Sequence, residues 1–226
     1  MNKILQGLIQ ENLQIEISGK KMIHGTLIDV GSNIIVVFNG TDYIYVPIYH
    51  IQNFQIDDNN EYSLTLGNEQ TGLILEESKK ENLTIRKVLT QAKGMFVEIY
   101  VTSGSPLHGY ITSIMNNYFV FHSPIYKNMY ITLKHLKWLI PYSTNERPYQ
   151  LPDYYFSVQT KDVSLARTFE VQVEKFIGKM VIFDIGDKEY HIGKINNIEE
   201  QIVEIQPARG KPIYLNLHHI KTLHQI

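Results

Sequence analysis

Cysteine is absent from this chain of 226 residues. Without it the chain can form no disulfide, no thiolate metal site and no cysteine nucleophile, so disulfide frameworks and several classes of enzyme are excluded. Long apolar runs are lacking as well, since none approaches the roughly 18 residues that suggest a membrane span. Residues 1–6, MNKILQ, lack the apolar segment and cleavage site of a secretory signal. We therefore expect a chain that is made and kept in the cytoplasm and has no membrane partner.

What the chain does contain is a repeated pattern. It reads HGTLIDV at 24–30, HGYITSI at 108–114 and IGKINNI at 192–198. A second marker, a turn that contains a histidine, follows each occurrence. The residues at these repeat positions are Gly25, Gly109 and Gly193, and His50, His135 and His219. Successive glycine numbers differ by 84 in both cases, and successive histidine numbers differ by 85 and by 84. We call the glycine spacing the repeat period.

Two markers with one period predict three copies of one small domain. Copies of about 55 residues bury only a modest fraction of their surface, so we expect them to pack on one another. We name them copy 1 (residues 1–57), copy 2 (85–140) and copy 3 (169–226). Two connections, 58–84 and 141–168, link the copies. Each connection holds an apolar stretch, at 62–66 and at 154–158, that is predicted to pack as an extra strand.

Each copy is predicted to begin with a short helix and to continue with five strands. In copy 1 the helix is built on the apolar residues of 4–9, and the strands are 13–17, 22–30, 34–38, 43–47 and 52–56. Copy 2 has a helix at 83–91 and strands at 96–101, 107–114, 118–122, 129–133 and 137–140. Copy 3 has a helix at 165–176 and strands at 179–184, 190–198, 201–206, 212–217 and 221–224. The fold class is therefore mainly β.

The repeated glycine lies inside the second strand of every copy. A glycine in a strand interior weakens the strand unless it allows sharp curvature or the close approach of another backbone. Its recurrence at Gly25, Gly109 and Gly193 predicts a shared bend in that strand. Bends of this kind are needed to close a small barrel.

One helix, five bent strands, a glycine in the second strand and a histidine turn before the last resemble the small barrel of the Sm-like proteins, which include Sm and Hfq. GTLIDV at 25–30 followed by IYVPIYHI at 44–51 is most similar to the Sm-like domains of spore-forming Bacillus, including the spore coat protein B family. The resemblance covers all three copies. It implies three tandem Sm-like five-stranded barrels, each with a short N-terminal helix.

The resemblance to coat proteins implies a non-enzymatic structural module, and the expectation that follows is a scaffold associated with the spore coat. Sm-like barrels pair through their fourth and fifth strands, so we expect the chain to associate with itself or with other coat or scaffold proteins. Unpaired strand edges are templates that a protein must either block or use. The candidate edges are residues 43–47 or 52–56 at one end of the chain and 212–217 or 221–224 at the other.

The alternative is binding of RNA or another single-stranded nucleic acid. Net charge is −2 for the whole chain, but copy 2 carries six Lys or Arg against one Glu, for a net charge of +5. Basic side chains interleaved with aromatic ones can hold a single strand through its phosphates and bases. The candidate residues are Lys93, Tyr100, Lys127, Lys134 and Lys137. The Hfq family reads uridine with an aromatic, lysine and histidine run, and copy 2 has Leu133-Lys134-His135 at that place.

Metal and catalytic sites are less well supported. His218, His219 and His224 are close in sequence, but neighbouring strand residues point to opposite faces. The repeated histidines are interpreted as donors to backbone carbonyls in the turn. No pairing of a nucleophile with a base recurs in the three copies, and Ser105 lacks the flanking glycines of a nucleophile elbow. We expect no enzyme activity, no metal, no cofactor and no small-molecule substrate.

Overall fold

The structure is a computed structural model that describes residues 2–57, 83–102, 104–143, 146, 148–150 and 164–225. These residues are mainly β, as the sequence predicts. The chain divides into two compact units. Unit 1 comprises Met1–Leu107 and Leu136–Tyr149, and unit 2 comprises His108–His135 and Gln150–Ile226. The division falls inside copy 2, whose first and last strands belong to unit 1.

Unit 1 contains seven strands among its described residues. They are β1 (Asn12–Ile17), β2 (Lys21–Val30), β3 (Ile34–Phe38), β4 (Tyr43–Pro47), β5 (Ile51–Ile56), β6 (Phe96–Tyr100) and β10 (Trp138–Pro141). Their order in the sheet is β6-β10-β4-β3-β2-β1-β5, and the registers recorded between neighbouring strands are antiparallel. The helices are α1 (Lys3–Gln6) and α2 (Ile85–Gln91).

Unit 2 holds the remaining eight described strands. They are β7 (Leu107–Ile114, in unit 2 from His108), β8 (Tyr118–Ser123), β9 (Lys127–Thr132), β11 (Met180–Phe183), β12 (Ile192–Glu199), β13 (Ile202–Gln206), β14 (Ile213–Asn216) and β15 (Thr222–Gln225). Their order is β14-β13-β12-β11-β15-β9-β8-β7, again with antiparallel registers. The helix is α3 (Phe169–Glu174).

One-turn 3₁₀ helices connect several of these strands. Three of them hold the repeated histidines and lie between the fourth and fifth strands of each copy, where the sequence predicts a turn. The 3₁₀ helices are Ile48–His50, Leu133–His135, Pro148–Gln150, Asp184–Gly186, Glu189–His191 and Leu217–His219.

Element bounds differ from the predicted ones mainly in copy 3. The sequence predicts its helix at 165–176, but the helix begins at Phe169, because Thr168 has the extended dihedrals of an N-cap, φ −124° and ψ 158°. β12 begins at Ile192 rather than 190, since Glu189–His191 forms a 3₁₀ turn. The extra strands predicted at 62–66 and 154–158 lie outside the described residues.

The second strand of each copy is irregular at one repeated place. Register shifts in its pairing with the third strand lie between Leu27 and Asp29, between Ile111 and Ser113, and between Ile195 and Asn197. The three bulges follow one another at the repeat period, like the glycines just before them. Bulges bend a strand and increase its twist. In β2, β7 and β12 this irregularity begins two residues after the glycine at which the sequence predicts a shared bend.

The repeated glycines permit a close approach of two backbones at this bend. A Cβ on Gly109 would overlap the carbonyl oxygen of His122 in β8. The equivalent oxygens in the other copies belong to Phe38, against Gly25, and to Gln206, against Gly193. Any side chain at these three places would force β2, β7 or β12 away from the next strand.

Each unit has its own apolar core. In unit 1 the core is formed mainly by alternate residues of β1 to β4, with Leu5 from α1. In unit 2 it is formed by β8, β9 and the strands of copy 3, with Phe169 and Val173 from α3. Among the described residues, no helix combines the length and the apolar character needed to cross a membrane.

Candidate functional site

Consecutive copies are joined by a strand pair, once in each unit. In unit 1, β10 of copy 2 pairs with β4 of copy 1, and Leu139 lies opposite Tyr45. In unit 2, β15 of copy 3 pairs with β9 of copy 2, and Leu223 lies opposite Tyr130. The fifth strand of one copy thus pairs with the fourth strand of the copy before it. We call these contacts junction 1 and junction 2.

The two junctions have the same register. Tyr45 and Tyr130 are equivalent, because they lie opposite Val36 and Val120 in their own sheets, and these valines are one repeat period apart. Leu139 and Leu223 are themselves one repeat period apart. All four residues that face each other at the junctions, the two tyrosines and the two leucines, are buried. The same interface is therefore built twice.

A helix contact accompanies each strand pair. At junction 1 the Ile85 N–H, at the start of α2, donates to Asn33 Oδ1 at 3.0 Å. Beside it, the Ser32 N–H donates to the Leu83 carbonyl at 2.9 Å. Asn33 and Ser32 lie in the turn between the second and third strands of copy 1. That turn therefore fixes where the helix of copy 2 begins.

Junction 2 repeats this contact one repeat period further along the chain. The Phe169 N–H donates to Asn117 Oδ1 at 2.8 Å, and the Asn116 N–H donates to the Arg167 carbonyl at 3.0 Å. Sequence reasoning missed the role of Asn33 and Asn117. Their separation by one repeat period was a signal that could have revealed it, because asparagine is typical of caps and turns.

A buried polar network strengthens junction 2. The Tyr118 hydroxyl oxygen lies 2.7 Å from the Ala166 carbonyl and 3.2 Å from Gln172 Oε1. The Ala166 N–H donates to the same Gln172 oxygen at 2.8 Å. Burial, with a smaller contribution from Tyr130, raises the pKa of Tyr118 to about 12. The hydroxyl is therefore neutral and available as a donor at neutral pH.

Asp184 anchors the strand that copy 3 contributes to junction 2. This buried residue begins the 3₁₀ turn after β11, and its Oδ1 accepts the N–H groups of Lys221 at 2.7 Å and Thr222 at 3.1 Å. The Lys221 carbonyl in turn accepts from the Thr132 N–H at 3.0 Å. A chain of hydrogen bonds therefore runs from Asp184 through the start of β15 to β9.

The candidate nucleic-acid residues are divided between the two units. In unit 1, Lys137 is buried and its Nζ lies 5.0 Å from the centre of the Tyr100 ring. That ring is also buried and stacks on Trp138 with centroids 4.2 Å apart. Lys93 is exposed in the same unit. Stacking of Tyr100 on a base would require removal of its present neighbours.

In unit 2 the two candidate lysines are both exposed. Lys127 Nζ donates to the Pro124 carbonyl at 3.0 Å. Lys134 Nζ lies 3.3 Å from His218 Nδ1. Lys93, Lys127 and Lys134 are thus the candidate cations whose side chains face solvent.

The repeated histidines have three different surroundings. His50 Nδ1 lies 2.8 Å from the Ser18 hydroxyl. His135 Nε2 lies 3.3 Å from the His218 carbonyl, which belongs to copy 3 rather than to its own turn. Burial lowers the pKa of His135 to about 4, so the ring is neutral at neutral pH. His219, the equivalent residue of copy 3, is exposed.

Within the part of the chain that the structure describes, no three His, Cys, Asp or Glu side chains are grouped so that they could hold a metal ion. The two junctions are instead the arrangement that the structure repeats. They consist of paired strand edges and buried, mainly apolar side chains, as packed interfaces do. They constitute the candidate functional site.

Two comparisons with known proteins give matches. The family model described as the YwrJ third domain matches residues 168–223. A protein of Bacillus subtilis (strain 168), described as uncharacterized protein YwrJ, is 37% identical over 227 residues. That similarity covers 98% of this chain and 99% of the relative.

Proposed function

The chain belongs to the YwrJ family, and from that premise we propose that it is a non-enzymatic structural module that works by assembly. Its partners are other copies of itself or other coat or scaffold proteins. The observation that carries the proposal is the repetition of one interface. Junction 1 and junction 2 use equivalent residues in the same register, Leu139 opposite Tyr45 and Leu223 opposite Tyr130.

We propose that each copy is a Sm-like five-stranded barrel with a short N-terminal helix. Support comes from the register shift that recurs in the second strand of each copy and from the glycine that precedes it. The family model that matches 168–223 is described as a third domain. Those bounds lie close to the copy at 169–226, which supports the division into three.

Edge-to-edge pairing of strands is a simple way to attach the units of a scaffold to one another. Backbone hydrogen bonds provide the attachment, and side chains on alternate positions provide the specificity. Junctions 1 and 2 place an equivalent leucine opposite an equivalent tyrosine, so the same joint occurs twice in one chain. A module with such an interface is better suited to assembly into a lattice than to catalysis.

We propose the spore coat of a Bacillus as the place where the module acts. A fluorescent fusion of the full chain, produced in sporulating Bacillus, is expected to collect around the developing spore and to be recovered with the coat fraction. The fluorescent protein alone is the control and should stay diffuse in the mother cell. A fusion that is equally diffuse, and absent from coat extracts, would remove the coat assignment.

A second candidate is RNA binding, favoured by the exposed lysines of the basic copy 2, Lys93, Lys127 and Lys134. A fluorescent oligo-uridine is then expected to bind at low salt and to lose affinity steeply as salt rises, because counterions are released from its phosphates. Replacing Lys127 and Lys134 together with Glu should weaken binding at least tenfold.

The matched control exchanges two exposed lysines of copy 3, Lys194 and Lys211, for Glu, which changes the net charge equally. Lys137 is unsuitable for this test because it is buried, and a carboxylate there would destabilise the fold. Equal weakening by both double variants would indicate unspecific attraction. Absence of binding at low salt would rule out the RNA-binding hypothesis.

A further inference from the structure

Copy 3 exposes the fourth-strand side of a junction. Copies 1 and 2 use this side to contact the copy that follows them. Its fourth strand is β14, and among the described residues β14 pairs with β13 alone. Tyr214 is equivalent to Tyr45 and Tyr130, because it lies opposite Glu204, which follows Val120 by one repeat period. Tyr45 is 0% exposed and Tyr130 is 6% exposed, whereas Tyr214 is 66% exposed. The tyrosine that a neighbour covers at both junctions is uncovered here.

The third strand shows the same contrast. Ile34, Tyr118 and Ile202 are equivalent, since they lie opposite Pro47, Thr132 and Asn216 in their own copies. Ile34 and Tyr118 are fully buried, but Ile202 is 41% exposed. Two large side chains that are buried at both junctions are therefore exposed together at the end of copy 3.

The turn before Ile202 resembles the two turns that contact a helix at junctions 1 and 2. Gln201 occupies the position of Asn33 and Asn117, and its carbonyl accepts the Leu217 N–H at 2.8 Å, as theirs accept from Ile48 and Leu133. The side-chain oxygens of the two asparagines accept a backbone N–H from the next copy. Gln201 Oε1 is buried and has no hydrogen-bond partner within the described residues. A buried acceptor without a donor costs free energy that a partner would recover.

Copy 1 presents the complementary half. Its fifth strand, β5, pairs with β1 alone among the described residues. Phe54 is equivalent to Leu139 and Leu223, because it lies opposite Ile15, which precedes Ile99 by one repeat period and Phe183 by two. Phe54 is only half-buried, while both leucines are fully buried.

Helix α1 completes this half. Ile4 is equivalent by spacing to Val88 of α2 and to Gln172 of α3, which are 0% and 1% exposed. Ile4 is 71% exposed. An apolar side chain on the helix is therefore uncovered in copy 1, the first of the three, whereas its equivalents in the two later copies are covered.

Charge favours the same pairing. The groove beside β14 is lined by Glu199, Glu200 and Glu204 together with Ile202 and Tyr214. The helix that would face this groove, α1, carries the exposed Lys3 next to Ile4. Opposite charges at an interface steer the encounter and select the orientation.

We propose that the end of one chain receives the start of a second copy of the same chain, through a third instance of the junction. In this contact β5 of the incoming chain pairs with β14, and Phe54 lies opposite Tyr214. Its α1 packs with Ile4 against Ile202. This inference rests on the proposed assembly function and names its partner and register. Because the contact is head to tail, it generates a filament, or a ring where the rotation closes.

The absence of cysteine allows a direct test by cross-linking. The full chain carrying both Phe54→Cys and Tyr214→Cys is expected to form, under mild oxidation, a ladder of disulfide-linked dimers, trimers and larger species. Mixing the two single-cysteine variants should give the mixed dimer and nothing larger through this contact. The control pairs Phe54→Cys with Ile125→Cys, which is exposed in the turn between β8 and β9, and should give no more cross-linking than Ile125→Cys alone.

Light scattering on the unmodified chain is the second measurement. Its mean mass should rise at least twofold with concentration, and Ile202→Asp should raise the concentration needed by about tenfold. A chain that stays monomeric and gives no ladder overturns the inference. Association without preferential cross-linking of the Phe54 and Tyr214 pair overturns it too, since the register would be wrong.

The outcomes distinguish a failure of the head-to-tail contact from a failure of the proposed coat function. A monomeric chain that is still recovered in the spore coat would assign the free ends to a different coat protein. A chain that forms the ladder but stays diffuse in sporulating cells would keep the head-to-tail contact and remove the coat role.

Discussion

Gly109→Val is expected to lower the free energy of unfolding by about 3 kcal/mol or more, because overpacking a filled site already costs about 1–3 kcal/mol. The new Cβ would overlap the backbone carbonyl of His122 and lie 3.0 Å from the Phe121 ring. Neither neighbour can yield easily, since the carbonyl belongs to a central strand and Phe121 is fully buried. The measurement is urea unfolding followed by circular dichroism.

Gly104→Val is the matched control for this substitution. A Cβ at Gly104 has a single neighbour within 4 Å, the Thr102 hydroxyl at 3.9 Å. Its stability should stay within about 0.5 kcal/mol of the original, as for most surface changes. The repeat extends the expectation to Gly25 and Gly193, which face the equivalent carbonyls of Phe38 and Gln206. If Gly109→Val unfolds at the same urea concentration as the original chain, the close approach is not a constraint.

Tyr45→Ala is expected to cost about 3–5 kcal/mol, the range for removing a large buried aromatic side chain. Tyr45 is fully buried at junction 1 and lies opposite both Val36 and Leu139. Truncation leaves a cavity in the buried space that the Tyr45 ring fills. Thermal unfolding should report it as a fall in Tm of about 6–20 °C for a chain of this size.

The equivalent substitution Tyr214→Ala is its control within the same molecule. Because Tyr214 is largely exposed on β14, the last strand of unit 2 among the described ones, we expect its removal to change the Tm of the dilute chain by less than about 2 °C. The same variant should weaken association at high concentration. If Tyr45→Ala and Tyr214→Ala destabilise the dilute chain equally, the two tyrosines do not have the different surroundings that the junctions assign to them.

Several features of this protein follow from local sequence alone. Alternation of apolar residues and the turn chemistry between the runs predict the mainly β class, and most strand bounds agree closely with the predicted ones. The repeat period predicts equivalent positions, and the glycines at 25, 109 and 193 predict the bend. These features depend on residues close in the chain, so a linear pattern can encode them.

The choice of edges was decided by the tertiary structure. By sequence, residues 43–47 and 52–56 are equal candidates for the free edge of copy 1, and 212–217 and 221–224 for that of copy 3. In the structure β4 and β15 are covered at the junctions, while β5 and β14 are end strands in the order of the described strands. Alternation specifies which face of a strand is buried, but not which distant strand pairs with its edge.

The roles of single side chains were also set by distant contacts. Lys137 and Tyr100 have the residue types of a nucleic-acid surface, yet they are buried against each other because β10 and β6 are neighbours. Asn117 gains its partner from a helix that starts 52 residues later. Composition and spacing determined what each copy can form, whereas long-range packing determined which of its surfaces are covered and which are exposed.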